Sequence, residues 1–190
     1  MHRVPLLEQL SRYTPIDPVD ERTLERFISF VAAQPRCFER ALEIGHVTGS
    51  AWIVDAAGER VLLTHHAKLD IWVQPGGHCD GEADVAAVAL REAIEETGLA
   101  DLEQVSPEIF DLDIHPIPAR GEVATHEHFD VRYAFRLGAL GSDAFVVTAE
   151  SHDLAWVRLD ALERYTRERS MQRMREKWWR RSAARADRSG

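Results

Sequence analysis

The 190-residue chain reads as an α/β fold built on a mixed sheet, and three features carry that reading. Residues 46–66 hold two strand-like runs around a glycine turn. Residues 85–97 space their apolar side chains as a helix does. Residues 110–115 and 126–135 alternate with period two, which puts apolar side chains on one face and Asp, His and Arg on the other.

Taken in order, residues 1–44 are helical and accessory. "TPIDPVDERTLERFISFVAAQP" opens on turn prolines and then places Leu24, Phe27, Ile28 and Val31 at helical spacing, with Pro35 ending the helix. A packing role is the expectation there. Residues 46–54, "HVTGSAWIV", read as a strand, 55–60 as a turn around Gly58, and 61–66 as a second strand. Residues 71–78 form a short third strand that delivers the chain into a glycine-rich loop. The helix after that loop has Val85, Val88, Ala89 and Ile94 as its apolar stripe. Asp84 suits its N-cap, and Gly98 suits the left-handed position past its end.

In the next strand Phe110, Leu112 and Ile114 alternate with Asp111, Asp113 and His115. In the one after, Phe129, Val131, Tyr133 and Phe135 alternate with His126, His128, Asp130 and Arg132. The polar faces are either solvated or line a substrate cleft beside the acidic helix. On the second reading His115, His128, Asp130 and Arg132 are the substrate-binding candidates. Two histidines at i, i+2 suit zinc, but no Cys/His set with a familiar zinc spacing completes that site. Residues 144–148 and 154–159 are expected as further strands. A C-terminal helix follows with Met171, Met174 and Trp178 on its core face and its arginines in solvent.

The helix at 85–97 carries the chemistry. Glu92, Glu95 and Glu96 stand at i, i+3 and i+4, so they share one face. Like charges at these spacings destabilise a helix, and Arg91 cannot neutralise three carboxylates. A solvated acidic face is the plain reading. A bound hard divalent cation is the sharper one, because Mg2+ takes carboxylate oxygens.

The surroundings favour the sharper reading. Gly76-Gly77, Gly81-Glu82 and "REAIEETGL" (residues 91–99) together resemble the Nudix hydrolase signature: a glycine, five residues, a glutamate, seven residues, then Arg-Glu-aliphatic-x-Glu-Glu-x-Gly-aliphatic. Gly77, Arg91, Glu92, Glu95, Glu96, Gly98 and Leu99 follow it, with Ala93 in the aliphatic place and Ile94 one later. One position departs: Ala83 stands where the first glutamate is expected, with Glu82 one residue before it and Asp84 one after. The loop is expected to bend so that Glu82 reaches the metal while Asp84 caps the helix; Asp84 as the ligand is the competing assignment.

The resemblance implies the Nudix fold, a mixed sheet sandwiched between helices as an α/β/α sandwich. It also implies a pyrophosphohydrolase that depends on Mg2+ or Mn2+ and cleaves a diphosphate linkage in a nucleoside diphosphate joined to another moiety. By the same resemblance Gly76 (through its carbonyl), Glu82, Glu92, Glu95 and Glu96 hold metal. Glu92 and Glu95 form the catalytic set with Arg91, which holds a glutamate in its rotamer, and Glu92 either ligates metal or orients the attacking water. The division expected is an extension at 1–44, the Nudix domain at 45–160, and a C-terminal helix and basic tail at 161–190. Alternatives from other classes are a weak, nucleotide-binding or regulatory Nudix-like domain, motivated by Ala83, and an RNA-directed protein using the tail.

Composition narrows the field. Hydrophobic residues make up 45% and charged residues 29%, as in a globular domain. No apolar run approaches the 18 residues a membrane helix needs. Cys37 and Cys79 make no disulfide framework, which fits a cytoplasmic protein, and Cys79 reads as a buried thiol. Net charge is −9, but residues 162–190 hold ten Lys/Arg against four Asp/Glu, a net of +6, so the remainder carries −15. So acidic a body does not suit nucleic acid. A small nucleoside diphosphate derivative is the expected partner, with a homodimer left open.

Overall fold

The structure, a computed structural model, describes residues 2–67, 70–121, 123–139, 141–149 and 151–186. Strand β1 (Gly45–Val54), buried along its whole length, is its axis. It runs parallel to β7 (His126–Leu137) from Gly45↔Glu127 to Val54↔Arg136. Its other edge is shared. The glycine strand β4 (Gly76–His78) pairs antiparallel with Thr48, Gly49 and Ser50, and β2 (Arg60–His66) pairs with Ile53 and Val54. Strand β2 carries β3 (Ile71–Val73) and β8 (Ser151–Arg158); β7 carries β6 (Asp111–Ile117) and the short β5 (Leu102–Gln104).

Strand alternation sorts the core into two layers. Val47, Ala51, Ile53, Phe129, Val131, Tyr133 and Phe135 face α1 (Val4–Arg12), α2 (Pro18–Ala33) and α3 (Val85–Thr97). Trp52, Val54, Val61, Leu63 and Ala134 face Met171, Met174 and Trp178 of α4 (Arg169–Ala186). The sheet thus lies between helices, the expected sandwich. The N-terminal helix α2 starts as the sequence suggests: Asp17 caps it, accepting from the Val19 and Asp20 amides, and Pro18 takes the first helical position, where no N–H is needed.

Three local expectations change. Residues 71–78 form two strands rather than one, broken at Gln74-Pro75, because Pro75 has no N–H for a ladder; its carbonyl accepts instead from the Ala51 amide at 2.9 Å. Residues 144–148 form no strand: Val146 and Val147 are exposed, and Val146 N–H bonds the Thr97 carbonyl at the end of α3. Ile94 is 38% exposed, and Ala93 takes its place in the buried stripe of α3 with Val85, Val88 and Ala89.

The arginine-rich helix α4 is also less solvated than expected, because Arg173 and Lys177 are buried on Asp111. Asp111 is fully buried and accepts from Arg173 Nε and Nη2 at 2.8 Å each, Lys177 Nζ at 2.7 Å and Arg132 Nη1 at 3.1 Å. Lys177 continues to Asp20 of α2 at 2.8 Å. Burial pushes the Asp111 carboxyl up, but the Arg173 hydrogen bonds and the nearby Lys177 and Arg132 charges outweigh it and hold it below the ordinary carboxylate range. Asp111→Ala strands these cations without a counter-ion and is expected to cost about 3–5 kcal/mol in urea unfolding. The exposed Arg158–Asp160 pair, 2.8 Å apart, is the control: Asp160→Ala should leave the urea midpoint nearly unchanged, because water screens an exposed pair. Equal small losses in both variants would contradict a charge-locked core.

Candidate active site on the acidic helix

Helix α3 is delivered by a strained turn. Asp80 and Gly81 both have positive φ, 50° and 89°, and Arg40 pairs with the Asp80 carboxylate through two nitrogens. Asp84 then caps the helix, its Oδ1 accepting from the Ala87 amide at 3.1 Å, and Gly98 closes it with φ 73°. Both ends behave as their residue types require.

The glutamate face meets β4 backbone. The Gly76 amide donates to Glu96 Oε1 at 2.8 Å, and Glu96 is 8% exposed. Gly77 lies directly against Glu92: a Cβ there would fall 2.5 Å from the Glu92 carboxyl carbon. Only glycine leaves room for that carboxylate. Arg91 donates from Nη2 to Glu92 at 3.1 Å and stands 3.9 Å from Glu95, one turn on. The Glu95 side chain is 63% exposed. Two carboxylates are thus positioned by strand backbone, and the third stands open to solvent. An all-oxygen set of this kind, with a cradle that a single methyl would fill, fits a hard divalent cation.

The described hydrogen bonds and ion pairs do not join Glu82 to this group. Its Oε1 turns back to accept the Asp84 amide at 3.1 Å, so it supports the helix start beside the cap. Ala83 packs partly buried against the core, where a glutamate would carry its charge inward. The departure from the signature is a packing position.

The polar faces of β6 and β7 also lie elsewhere. His128, Asp130 and Arg132 share the β1 face of His46, Thr48 and Ser50, opposite the face on which α3 packs. Asp130 and Arg132 are 2% and 3% exposed. Asp130 accepts from Thr48 and Ser50 hydroxyls at 2.9 and 2.7 Å, from Gln74 at 3.2 Å and from Arg132 Nε at 2.7 Å. Arg132 spends its other nitrogens on Asp111 and Asp113. Neither is available to a substrate, which corrects their assignment as cleft residues: the network that needs them joins strands distant in sequence. His115, across from His128 on β6, bonds Asp113 through Nδ1 at 3.2 Å, and the described contacts join neither histidine to the glutamates.

The comparisons with known proteins bear on this site. The NUDIX domain family matches residues 46–178, more than half of the chain. The chain belongs to the Nudix hydrolase family. The match runs into α4, whose Trp178 closes the second core. Two curated relatives, both described as m7GpppN-mRNA hydrolase NUDT17, are 36% identical over 63 residues (Danio rerio) and 35% identical over 86 residues (Xenopus laevis). The matched segments cover 30% and 41% of this chain but only 21% and 29% of those relatives. A solved C. elegans Ap4A hydrolase complex shares the fold with a TM-score of 0.58 at 19% identity, over 73% of this chain and 98% of its own. A MutT protein from Methanosarcina mazei Go1 does so with a TM-score of 0.53 at 18% identity, over 74% and 97%.

This Nudix domain also gathers histidines that sequence spacing cannot pair. His46 of β1, His78 of β4 and His128 of β7 each offer a ligand atom, and these atoms lie within 4.8 Å of one another. The only hint in the sequence is His126-x-His128. The other members sit 80 and 48 residues upstream of it and meet only through strand register, Thr48↔His78 and His46↔His128. Burial, then the neighbouring His78 and His126, push the His46 ring down to about 4. Burial, then His46, His78, His115 and His126, push His128 down to about 2. Both rings are neutral in the fold, whereas in the unfolded chain they titrate near 6.5. Lowered folded values mean that stability is complete above about pH 6.5 and falls as the unfolded chain takes up protons below it. The Leu42 carbonyl pulls the His46 ring the other way, but burial and the neighbouring His78 and His126 outweigh it, and Arg40 adds to their effect. The urea midpoint is therefore expected to be lower at pH 5 than at pH 7.5, and His46→Gln should narrow the gap. An unchanged gap in the variant would contradict the neutral assignment.

Proposed function

We propose that this protein hydrolyses a diphosphate linkage in a nucleoside diphosphate joined to another moiety, with Mg2+ or Mn2+ held on α3. The observation that carries the reading is the glutamate face set against bare glycine backbone. Family membership supports the reaction class, and the partial NUDT17 match, to relatives named for m7GpppN-mRNA hydrolysis, supports a nucleotide-linked substrate.

Phosphoryl transfer asks a protein for positioning and charge neutralisation more than for covalent chemistry. Three carboxylates alone would repel a diphosphate, so a cation must invert the local charge. Glu92, Glu95 and Glu96 would hold it, with the Gly76 carbonyl as a further oxygen donor. When bound, a divalent ion screens phosphate oxygens and acidifies a coordinated water. The protein's own part is order. The Gly76 amide fixes the Glu96 rotamer, and Gly77 and Arg91 fix Glu92 from two sides. Glu95, exposed and tethered only loosely by Arg91, is the group free to turn toward metal or water. Glu82, committed to the helix start, is left out of this set.

The test is a screen of nucleoside diphosphate sugars, dinucleoside polyphosphates, capped RNA and nucleoside triphosphates, with Mg2+ and with Mn2+, reading phosphate products. Glu95→Gln and Glu96→Gln should each lower metal-dependent turnover by roughly two orders of magnitude, the scale of a lost catalytic carboxylate. Without metal, both variants should unfold at the same or a higher temperature, because each removes like-charge repulsion. Unchanged turnover in both would refute the metal assignment.

A further inference from the structure

On the opposite face of β4 from the glutamates, His46, His78 and His128 converge from three strands, and the chemistry there is different. His46 is 2% exposed, and neither of its ring nitrogens closes a hydrogen bond, although the Leu42 carbonyl lies near enough to favour its protonated form. His128 Nε2 is likewise buried with no hydrogen-bond partner. Burying imidazole nitrogens without partners costs free energy that a packed core does not return. Two further rings surround the group. His126 stands with its centroid 5.0 Å from that of His46, and His115 lies 5.5 Å from His128 with its Nδ1 oriented by Asp113. Among the described residues, this is the set of three histidine, cysteine or acidic groups whose ligand atoms come together at this spacing.

We propose that His46, His78 and His128 form a second metal site, selective for a borderline transition-metal ion of the Zn2+ class. Neutral imidazole is a ligand for Zn2+, Cu2+, Ni2+ and Fe2+, whereas Mg2+ prefers hard oxygens, so this site and the glutamate face select different ions. Zinc–nitrogen bonds of about 2.0–2.1 Å in tetrahedral geometry place the ligand nitrogens about 3.4 Å apart. Closing from at most 4.8 Å moves each ring inward by under about 1 Å. The fourth position falls to water or to the His126 ring beside it. The sheet carries the consequence. His78 follows Gly77, the residue against Glu92, so an ion here ties β4 to β1 and β7 and braces the strand on which the glutamates rest.

Untagged full-length protein, titrated with ZnCl2 by calorimetry in excess Mg2+, is expected to bind one equivalent with micromolar or tighter affinity. His46→Gln and His78→Gln should each weaken that binding at least 100-fold, while the Glu95→Gln/Glu96→Gln double variant retains it. Because a buried histidine variant can misfold, X-ray absorption at the zinc edge of the wild type gives a reading that needs no variant. Three imidazoles show as nitrogen shells with outer-ring scattering. No stoichiometric zinc, a carboxylate-only shell, or binding lost with the glutamates and kept without the histidines would each overturn the site.

Discussion

Strand β4 passes between β1 and α3 on two glycines, Gly76 and Gly77. A Cβ on Gly76 would come within 2.7 Å of the Ser50 main chain, and one on Gly77 within 2.5 Å of the Glu92 carboxyl carbon. Gly49 in β1 is under the same pressure, since its Cβ would meet the Val85 carbonyl at 2.9 Å. Three glycines therefore let the helix and the short strand approach the axis of the sheet closely enough for a main-chain amide to reach Glu96. Much of the site follows from that approach. It aligns Glu92 and Glu96 on one face of α3, with Arg91 on Glu92 and the Gly76 amide on Glu96.

The opposite face of the same strands is organised by charge rather than by space. Asp130 gathers two hydroxyls from β1 and a guanidinium from its own strand, and Asp111 gathers three cations from β7 and α4. These groups are too buried to serve a ligand. They are satisfied internally, which is the condition for keeping ions in a core at all. Between this ionic layer and the end of β1 lies the histidine group, where that satisfaction is incomplete. One sheet thus presents a hard oxygen set through α3 and a nitrogen set on its other side, separated by the thickness of β4.

The sequence made local features legible and long-range ones opaque. The caps at Asp84 and Gly98, the helix at residues 85–97 and the strands read at 46–54 and 126–135 follow from rules acting over a few residues, and they stand in the structure as α3, β1 and β7. The glutamate face was visible for the same reason, since i, i+3, i+4 spacing lies within one helix. Period-two alternation correctly separated Val131 from Arg132, but alternation says only that two faces differ, not what covers each. Helix α4, some 40 residues later, covers the polar face and turns an apparent cleft wall into an ion-pair core. Arg173 read as solvated for want of that one contact, and Lys177 is buried beside it on the same carboxylate. The histidine triad was hidden more deeply, because its three members come from strands whose adjacency is a property of topology alone.

The central claim is that β4 backbone positions the glutamates for metal-dependent hydrolysis, and Gly77→Ala tests it most directly. The added methyl meets the mobile end of the Glu92 side chain rather than main chain, so the fold can yield by turning Glu92 aside. A misplacement of about 1 Å at a reacting centre is worth about 100-fold in rate. The account predicts a cooperative thermal transition close to that of the wild type, with metal-dependent phosphate release down by about two orders of magnitude. Full activity in a stably folded Gly77→Ala protein would contradict it.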